Sequence, residues 1–91
     1  MYSDEGRRSW PSIVVDILEV TMAPSNKTRI MYKSNLNFER FSRYFDDMLR
    51  KGFVEEMNGN NGRSSYKTTK RGRILMKALQ EAIDLMASED S

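Results

Sequence analysis

A mainly helical α+β fold, with one two-stranded hairpin set before a long final helix, is predicted by three features of the 91-residue chain. Residues 26–52 read as two helices joined by the short polar turn Ser34-Asn35-Leu36, which is helix-turn-helix spacing. The run Asn58-Gly59-Asn60-Asn61-Gly62 separates two strand-like runs and contains Asn-Gly twice, the strongest local hairpin signal. From near Thr69 to about Ala87, apolar residues recur at helical spacing. A hairpin behind a helix-turn-helix is a wing. The order therefore gives a winged helix-turn-helix with a two-stranded wing and a long C-terminal helix.

Residues 1–9 mix Asp4, Glu5, Arg7 and Arg8 around Gly6 and are expected to be a flexible tail. Trp10-Pro11 opens the first helix, Pro11 suiting its first turn. Ile13, Val14, Ile17, Leu18 and Thr21 or Met22 supply its inward face, and Pro24 stops it. Ser25 or Asn26 can cap the short second helix through a side-chain oxygen. The third helix starts behind Asn37, a good N-cap, and ends where Gly52 permits a left-handed residue. Its apolar residues Phe38, Phe41, Phe45, Met48 and Leu49 fall on one face, and Arg40, Arg43, Asp47 and Arg50 on the other. Residues 53–57 and 64–68, the latter centred on Tyr66, form the hairpin.

Thr69 can cap the last helix, and Gly72 in its first turn allows close backbone packing. Leu75, Leu79, Ala82 and Met86 line one stripe, which Ile74, Ala78, Ile83 and Leu85 widen beyond what one small domain covers. Two explanations stand side by side. The helix folds back along the first helix, or two copies pair it as a short antiparallel coiled coil through Leu75, Leu79, Ala82, Ile83 and Met86. The chain divides accordingly into a tail (1–9), a winged domain (10–69) and a dimerisation helix (70–91).

With 38% hydrophobic and 31% charged residues, the composition is that of a globular domain with a polar surface. No apolar run approaches the ~20 residues of a membrane span, and no signal-peptide pattern opens the chain, so a cytoplasmic, nucleoid-associated protein without membrane contact is expected. The absence of Cys and His removes disulfides, imidazole or thiolate metal sites and catalysis that needs either residue. The acid pairs Asp46-Asp47 and Glu55-Glu56 make no catalytic dyad, since neighbours on a helix point ~100° apart and neighbours on a strand to opposite faces. The wing glycines lack the Gly-Lys-Ser/Thr ending of a phosphate loop. No enzyme, cofactor or small-molecule ligand is expected.

The net charge of +2 conceals a strong division. Residues 1–26 carry two basic and four acidic groups, residues 27–73 twelve and five, and residues 74–91 one and four. A basic block between acidic ends is the footprint of a nucleic-acid surface, with a merely solvated basic face as the plainer account.

The residues Thr28-Arg29-Ile30-Met31-Tyr32, Asn35-Leu36-Asn37-Phe38, Tyr44-Phe45, Lys51-Gly52-Phe53-Val54 and Tyr66-Lys67-Thr68-Thr69-Lys70-Arg71-Gly72 carry a likeness over roughly residues 10–86. On them the chain resembles the small archaeal winged-helix proteins of the ArnR-like group. The resemblance implies a double-stranded DNA partner, a role as transcriptional regulator or chromatin-associated protein, and a homodimer formed through the C-terminal helix. Asp46-Asp47 depart from a purely phosphate-binding helix and mark a half expected to stay clear of DNA.

Winged helices insert the N-terminal part of the second motif helix into the major groove, where each base pair presents a distinct edge. Asn35, Asn37, Arg40, Arg43 and Tyr44 are then the base-proximal candidates, Arg40 first. Arg43 and Arg50 have Asp47 within ion-pairing spacing, a structural alternative for both. Lys27, Arg29 and Lys33 on the positioning helix and Arg63 and Lys67 on the wing are the phosphate candidates. Tyr32 and Tyr44 are expected to be partly core, and Asn60 and Asn61 to serve turn geometry or a minor groove. The rival is a protein-interaction module that uses the apolar C-terminal helix, because fold does not fix function.

Overall fold

The computed structural model describes residues 9–59 and 62–88. The expected tail lies outside the described residues except for Ser9, and so do Asn60 and Asn61. The chain forms α1 (Trp10–Val20), α2 (Lys27–Ser34), α3 (Phe38–Arg50), β1 (Val54–Asn58), β2 (Ser64–Thr68) and α4 (Lys70–Ser88). This is the winged arrangement, mainly helical with one antiparallel hairpin. Among the described residues no helix is long and apolar enough to cross a membrane.

Helix α1 begins behind Ser9 in extended backbone, with Pro11 in its first turn. Ile13, Val14, Ile17 and Leu18 are buried, as is Thr21, whereas Met22 is exposed. Trp10 is 58% exposed. It stands at the first helical position, a turn before the core-facing rows begin.

Asn26 caps α2, its side chain accepting from the Arg29 amide at 2.8 Å. Ser25 is not the cap. It bridges the wing instead, donating its amide to the Tyr66 carbonyl at 3.0 Å and accepting from the Tyr66 amide at 2.8 Å. The turn after α2 is made by Asn35, left-handed at φ 59°, with the Leu36 amide bonding back to the Met31 carbonyl. That closure is a Schellman motif, and Asn tolerates the left-handed position better than most residues. Leu36, just before the cap, and Phe41, in the next turn, are both in the core, the arrangement of a hydrophobic staple that sets the entry of α3.

Helix α3 ends the same way. Gly52 takes φ +80°, and the Phe53 amide bonds to the Met48 carbonyl at 2.9 Å. The hairpin pairs Val54 with Thr68, Glu56 with Tyr66 and Asn58 with Ser64. Only Val54 of β1 is buried, while Tyr66 and Thr68 of β2 reach the core, so most of the wing stands out from it. Phe45 sits at the centre, stacked on Phe41 (centroids 4.9 Å apart) and edge-on to Tyr66 (5.0 Å).

Thr69 caps α4, its hydroxyl accepting from the Gly72 amide at 3.0 Å and donating to the Gly52 carbonyl at 2.6 Å. Leu75, Met76 and Leu79 pack against the core, and Gln80 donates to the Glu19 carboxylate of α1 at 2.9 Å. Leu75 and Leu79, expected at a dimer interface, are thus engaged within their own chain: the first half of α4 folds back along α1. The second half is different. Ala82, Leu85 and Met86 are exposed, with Ile83 half-buried.

Gly72 is buried, and a Cβ there would lie 2.2 Å from the Phe53 carbonyl oxygen and 2.8 Å from Thr68 Cγ2. Because the nearest atom is backbone, the start of α4 must shift to admit any side chain. Gly72→Ala is expected to cost about 1–3 kcal/mol, the range for overpacking. Thermal unfolding followed by circular dichroism should show a fall of roughly 5 °C or more for a domain of this size. An unchanged midpoint would show that α4 does not need this close approach.

Candidate nucleic-acid interface

The solvent face of α3 is built by the burial of its other side. With Phe41, Phe45 and Met48 in the core, helical geometry turns Arg40, Arg43, Tyr44, Asp46, Asp47 and Arg50 outward, where they line one shallow depression. Arg43 and Arg50 are exposed; Arg40 and Tyr44 are half-buried, and the Tyr44 ring leans on the core. Asn35 and Asn37 have structural duties in addition to their proposed ones. Asn35 holds the left-handed turn, and Asn37 caps α3, accepting from the Arg40 amide at 2.8 Å. Both precede the first turn of the helix.

Three cations compete for Asp47: Arg43 four residues before it, Arg50 three after and Lys51 four after. The structure pairs Asp47 with Arg50 and with Lys51, the latter at 2.9 Å. Arg43 makes no ion pair with a described residue. An acid four residues ahead of a lysine is the better-oriented helix pair, which agrees with the helix dipole. Hydrogen bonds from Lys51 and then Arg50 hold the Asp47 carboxyl below its usual 3.8.

The positioning helix presents Arg29 and Lys33 to solvent. Lys27 is engaged differently, its Nζ lying 5.9 Å from the Phe45 ring centre and 5.8 Å from that of Tyr66, within cation–π range. On the wing Arg63 is exposed, and Lys67 stands opposite Glu55 across the hairpin, a favourable cross-strand pair of charges. Tyr32, expected to be partly core, is 82% exposed.

Phe38 departs most from the sequence expectation. Placed on the inward face by periodicity, it is 73% exposed. It is the first residue of α3, one turn before Phe41, and the staple of Leu36 on Phe41 closes the core behind it. A second residue that periodicity did not single out is Arg71. Its Nε donates to the Lys51 carbonyl at 3.0 Å while its guanidinium covers the Phe53 ring, so it braces the end of α3.

The lowered Asp47 pKa fixes the sign of a pH effect. A folded pKa below the unfolded one stabilises the chain above about 3.8 and loses that contribution as pH falls through the folded pKa. The group is exposed, so the contribution is small. Carbon-13 NMR of the carboxyl should give a midpoint below 3.8, moving back up when both Arg50 and Lys51 are replaced by Gln; an unchanged midpoint in that variant would contradict the ion pairs.

Comparison with known proteins agrees with this architecture. The winged helix-turn-helix family profile matches residues 7–87. An uncharacterized protein of the archaeon Methanocaldococcus jannaschii is 30% identical over 84 residues, covering 91% of this chain and 81% of its own length. Among solved structures, Sso10a-2, a DNA-binding protein from Sulfolobus solfataricus, superposes with a TM-score of 0.80 at 25% identity, over 89% of this chain and 84% of that one. The PcaV transcriptional regulator from Streptomyces coelicolor shares the fold, with a TM-score of 0.71 at 17% identity over 88% of this chain and 58% of its own. With a family profile matched over nearly its whole length, the chain belongs to the winged helix-turn-helix family.

Proposed function

We propose that this protein binds double-stranded DNA as a transcriptional regulator or chromatin-associated protein, acting in the cytoplasm on the nucleoid. The observation that carries the proposal is the α3 face, where the Arg40, Arg43 and Arg50 guanidinium groups share one open surface at the outer side of a helix-turn-helix. The likeness to Sso10a-2, described as DNA-binding, supports it. In this reading the N-terminal half of α3 enters the major groove, which at about 12 Å wide admits a helix. Arg43 is the leading base contact, because Asp47 is occupied by Arg50 and Lys51. Arg40, Tyr44, Asn35 and Asn37 lie beside it at the start of the helix. Arg29, Lys33 and Arg63 meet phosphates, with Lys27 and Lys67 as further cations on the same elements. No reaction is assigned to the chain.

A homodimer belongs to the same proposal. Leu85 and Met86 are 70% and 69% exposed on the far half of α4, and with Ala82 and Ile83 they supply an apolar surface for the same helix of a second copy. The rival reading, a protein-interaction module, uses this surface for a different protein and leaves the α3 face solvated.

Two measurements test these statements. Binding to random duplex DNA should weaken linearly in the logarithm of salt concentration, and replacing Arg29, Lys33 or Arg63 by Gln should reduce the slope by about 1 for each phosphate left without its cation. No binding at low salt would leave the interaction module as the better account. In sedimentation equilibrium at tens of micromolar, the full chain should be dimeric and the Leu85→Asp, Met86→Asp double variant monomeric. A monomeric full chain would remove the pairing of α4.

A further inference from the structure

The exposed ring of Phe38 is explained neither by the fold nor by the ionic surface. It occupies the first position of α3, and the backbone around it is fixed: Asn37 caps the Arg40 amide at 2.8 Å, and Leu36 and Phe41 are buried on either side. The backbone thus sets the point from which the ring projects, and the ring, 73% exposed, has no core to enter. Next to it Glu39 is exposed, and further along the helix stand Arg40, half-buried, and Arg43, exposed; α2 adds the exposed cations Arg29 and Lys33. A partner that pairs with Arg43 and the α2 cations and also covers the Phe38 ring would be anionic and offer an apolar group at this end of α3. In the major groove of DNA the apolar group on the base edges is the thymine C5-methyl, and Phe is among the side chains that contact it.

We propose that Phe38 reads thymine methyl groups and so gives this protein a preference for thymine at the position met by the beginning of α3. The inference rests on the DNA-binding reading above. It assigns Phe38 to specificity and leaves affinity mainly to the arginines and lysines. The leading residues of a helix-turn-helix recognition helix are those that meet base edges. Burying one methyl against a ring corresponds to roughly a fourfold change in affinity.

The test uses the full chain and two duplexes, one of alternating adenine and thymine and one in which uracil replaces every thymine, which removes the methyl and keeps the pairing. In fluorescence anisotropy the protein should bind the thymine duplex about fourfold more tightly for each methyl met. Phe38→Ala should bind both duplexes equally, near the uracil value, and Phe38→Leu should keep part of the preference. Because Phe38 is exposed, both variants should retain the unfolding midpoint of the parent. Equal binding of the two duplexes by the unaltered protein overturns the inference while leaving DNA binding intact, and points the ring toward a protein partner. A preference that persists in Phe38→Ala overturns it as well, because another group then reads the methyl. Binding to neither duplex at low salt removes the DNA-binding reading and this inference together.

Discussion

Two buried threonine hydroxyls hold the last turn of α1 to the second strand of the wing. Thr21 Oγ1 and Thr68 Oγ1 are 2.6 Å apart, Thr21 Oγ1 lies 2.8 Å from the Ile17 carbonyl, and Thr68 Oγ1 donates to the Leu18 carbonyl at 2.8 Å. The Thr68 amide adds a bond to the Thr21 carbonyl at 2.7 Å. The final carbonyls of a helix have no partner of their own within it, and leaving such a group buried and unbonded costs about 1–3 kcal/mol. The Ile17 carbonyl already accepts the Thr21 amide, whereas the Leu18 carbonyl has this need met by the Thr68 hydroxyl, which thereby fixes β2 against α1. Ser25 bridges the same strand at Tyr66. Thr69, the next residue, caps α4 and bonds the Gly52 carbonyl. Every helix thus refers its position to residues 66–69 through hydrogen bonds or a ring contact.

That dependence ties α3 to the base of the wing. Val54 lies opposite Thr68 in the hairpin, and the Phe53 carbonyl accepts from the Thr69 amide at 3.0 Å, so the chain leaving α3 is pinned where α4 begins. Arg71 adds its bond to the Lys51 carbonyl from the other side. Gly72 is required because these connections bring the first turn of α4 against the Phe53 backbone. Phe45 couples the middle of α3 to Tyr66 by an edge-on contact, and Lys27 of α2 reaches over both rings. In the proposed function, a surface made of α2, α3 and the wing would be preorganised by packing among its own parts, which reduces the ordering cost of binding.

The elements were legible in the sequence because each has a local chemical cause. Asn26 and Asn37 cap, Asn35 and Gly52 turn left-handed, and Asn-Gly marks the wing turn. What the sequence left open depends on depth and on competition. Periodicity gives the direction of Phe38 and Trp10 around their helices, but not how far the core extends along the axis; both lie a turn beyond its end. The buried pair Leu36 and Phe41 was the available signal, since a staple closes the core at that point. Asp47 has three cations in reach, and spacing alone does not choose among them. The preference for acid ahead of base at four residues favours Lys51 over Arg43 and would have released Arg43 as a candidate contact. Ser25 looked like a cap because its side chain suits one. Its pairing with Tyr66 is a contact between distant parts of the chain, and no local pattern announces it.

The two halves of α4 face different physical situations. Up to Gln80 one side of the helix packs on the core, with Leu75 and Leu79 half-buried there, while Ile74 and Ala78 face outward. Beyond it, exposed Ala82, Leu85 and Met86 contribute little to the fold of one chain. A helix already nucleated can propagate through such a stretch, but an unsupported helix of this length is marginal in water. In the proposed dimer the far half gains its burial from a second copy, so the point where the two helices cross sets the separation of the two α3 faces. At 1.5 Å per residue, the 19 residues of α4 span roughly 28 Å, of the same order as the ~34 Å repeat of one DNA turn. Moving the crossing by a single helical turn changes the reach of each arm by about 5 Å. In that proposal the apolar pattern at the far end of α4 would govern which half-site spacing a dimer can meet, although those residues lie on α4 and not on α3.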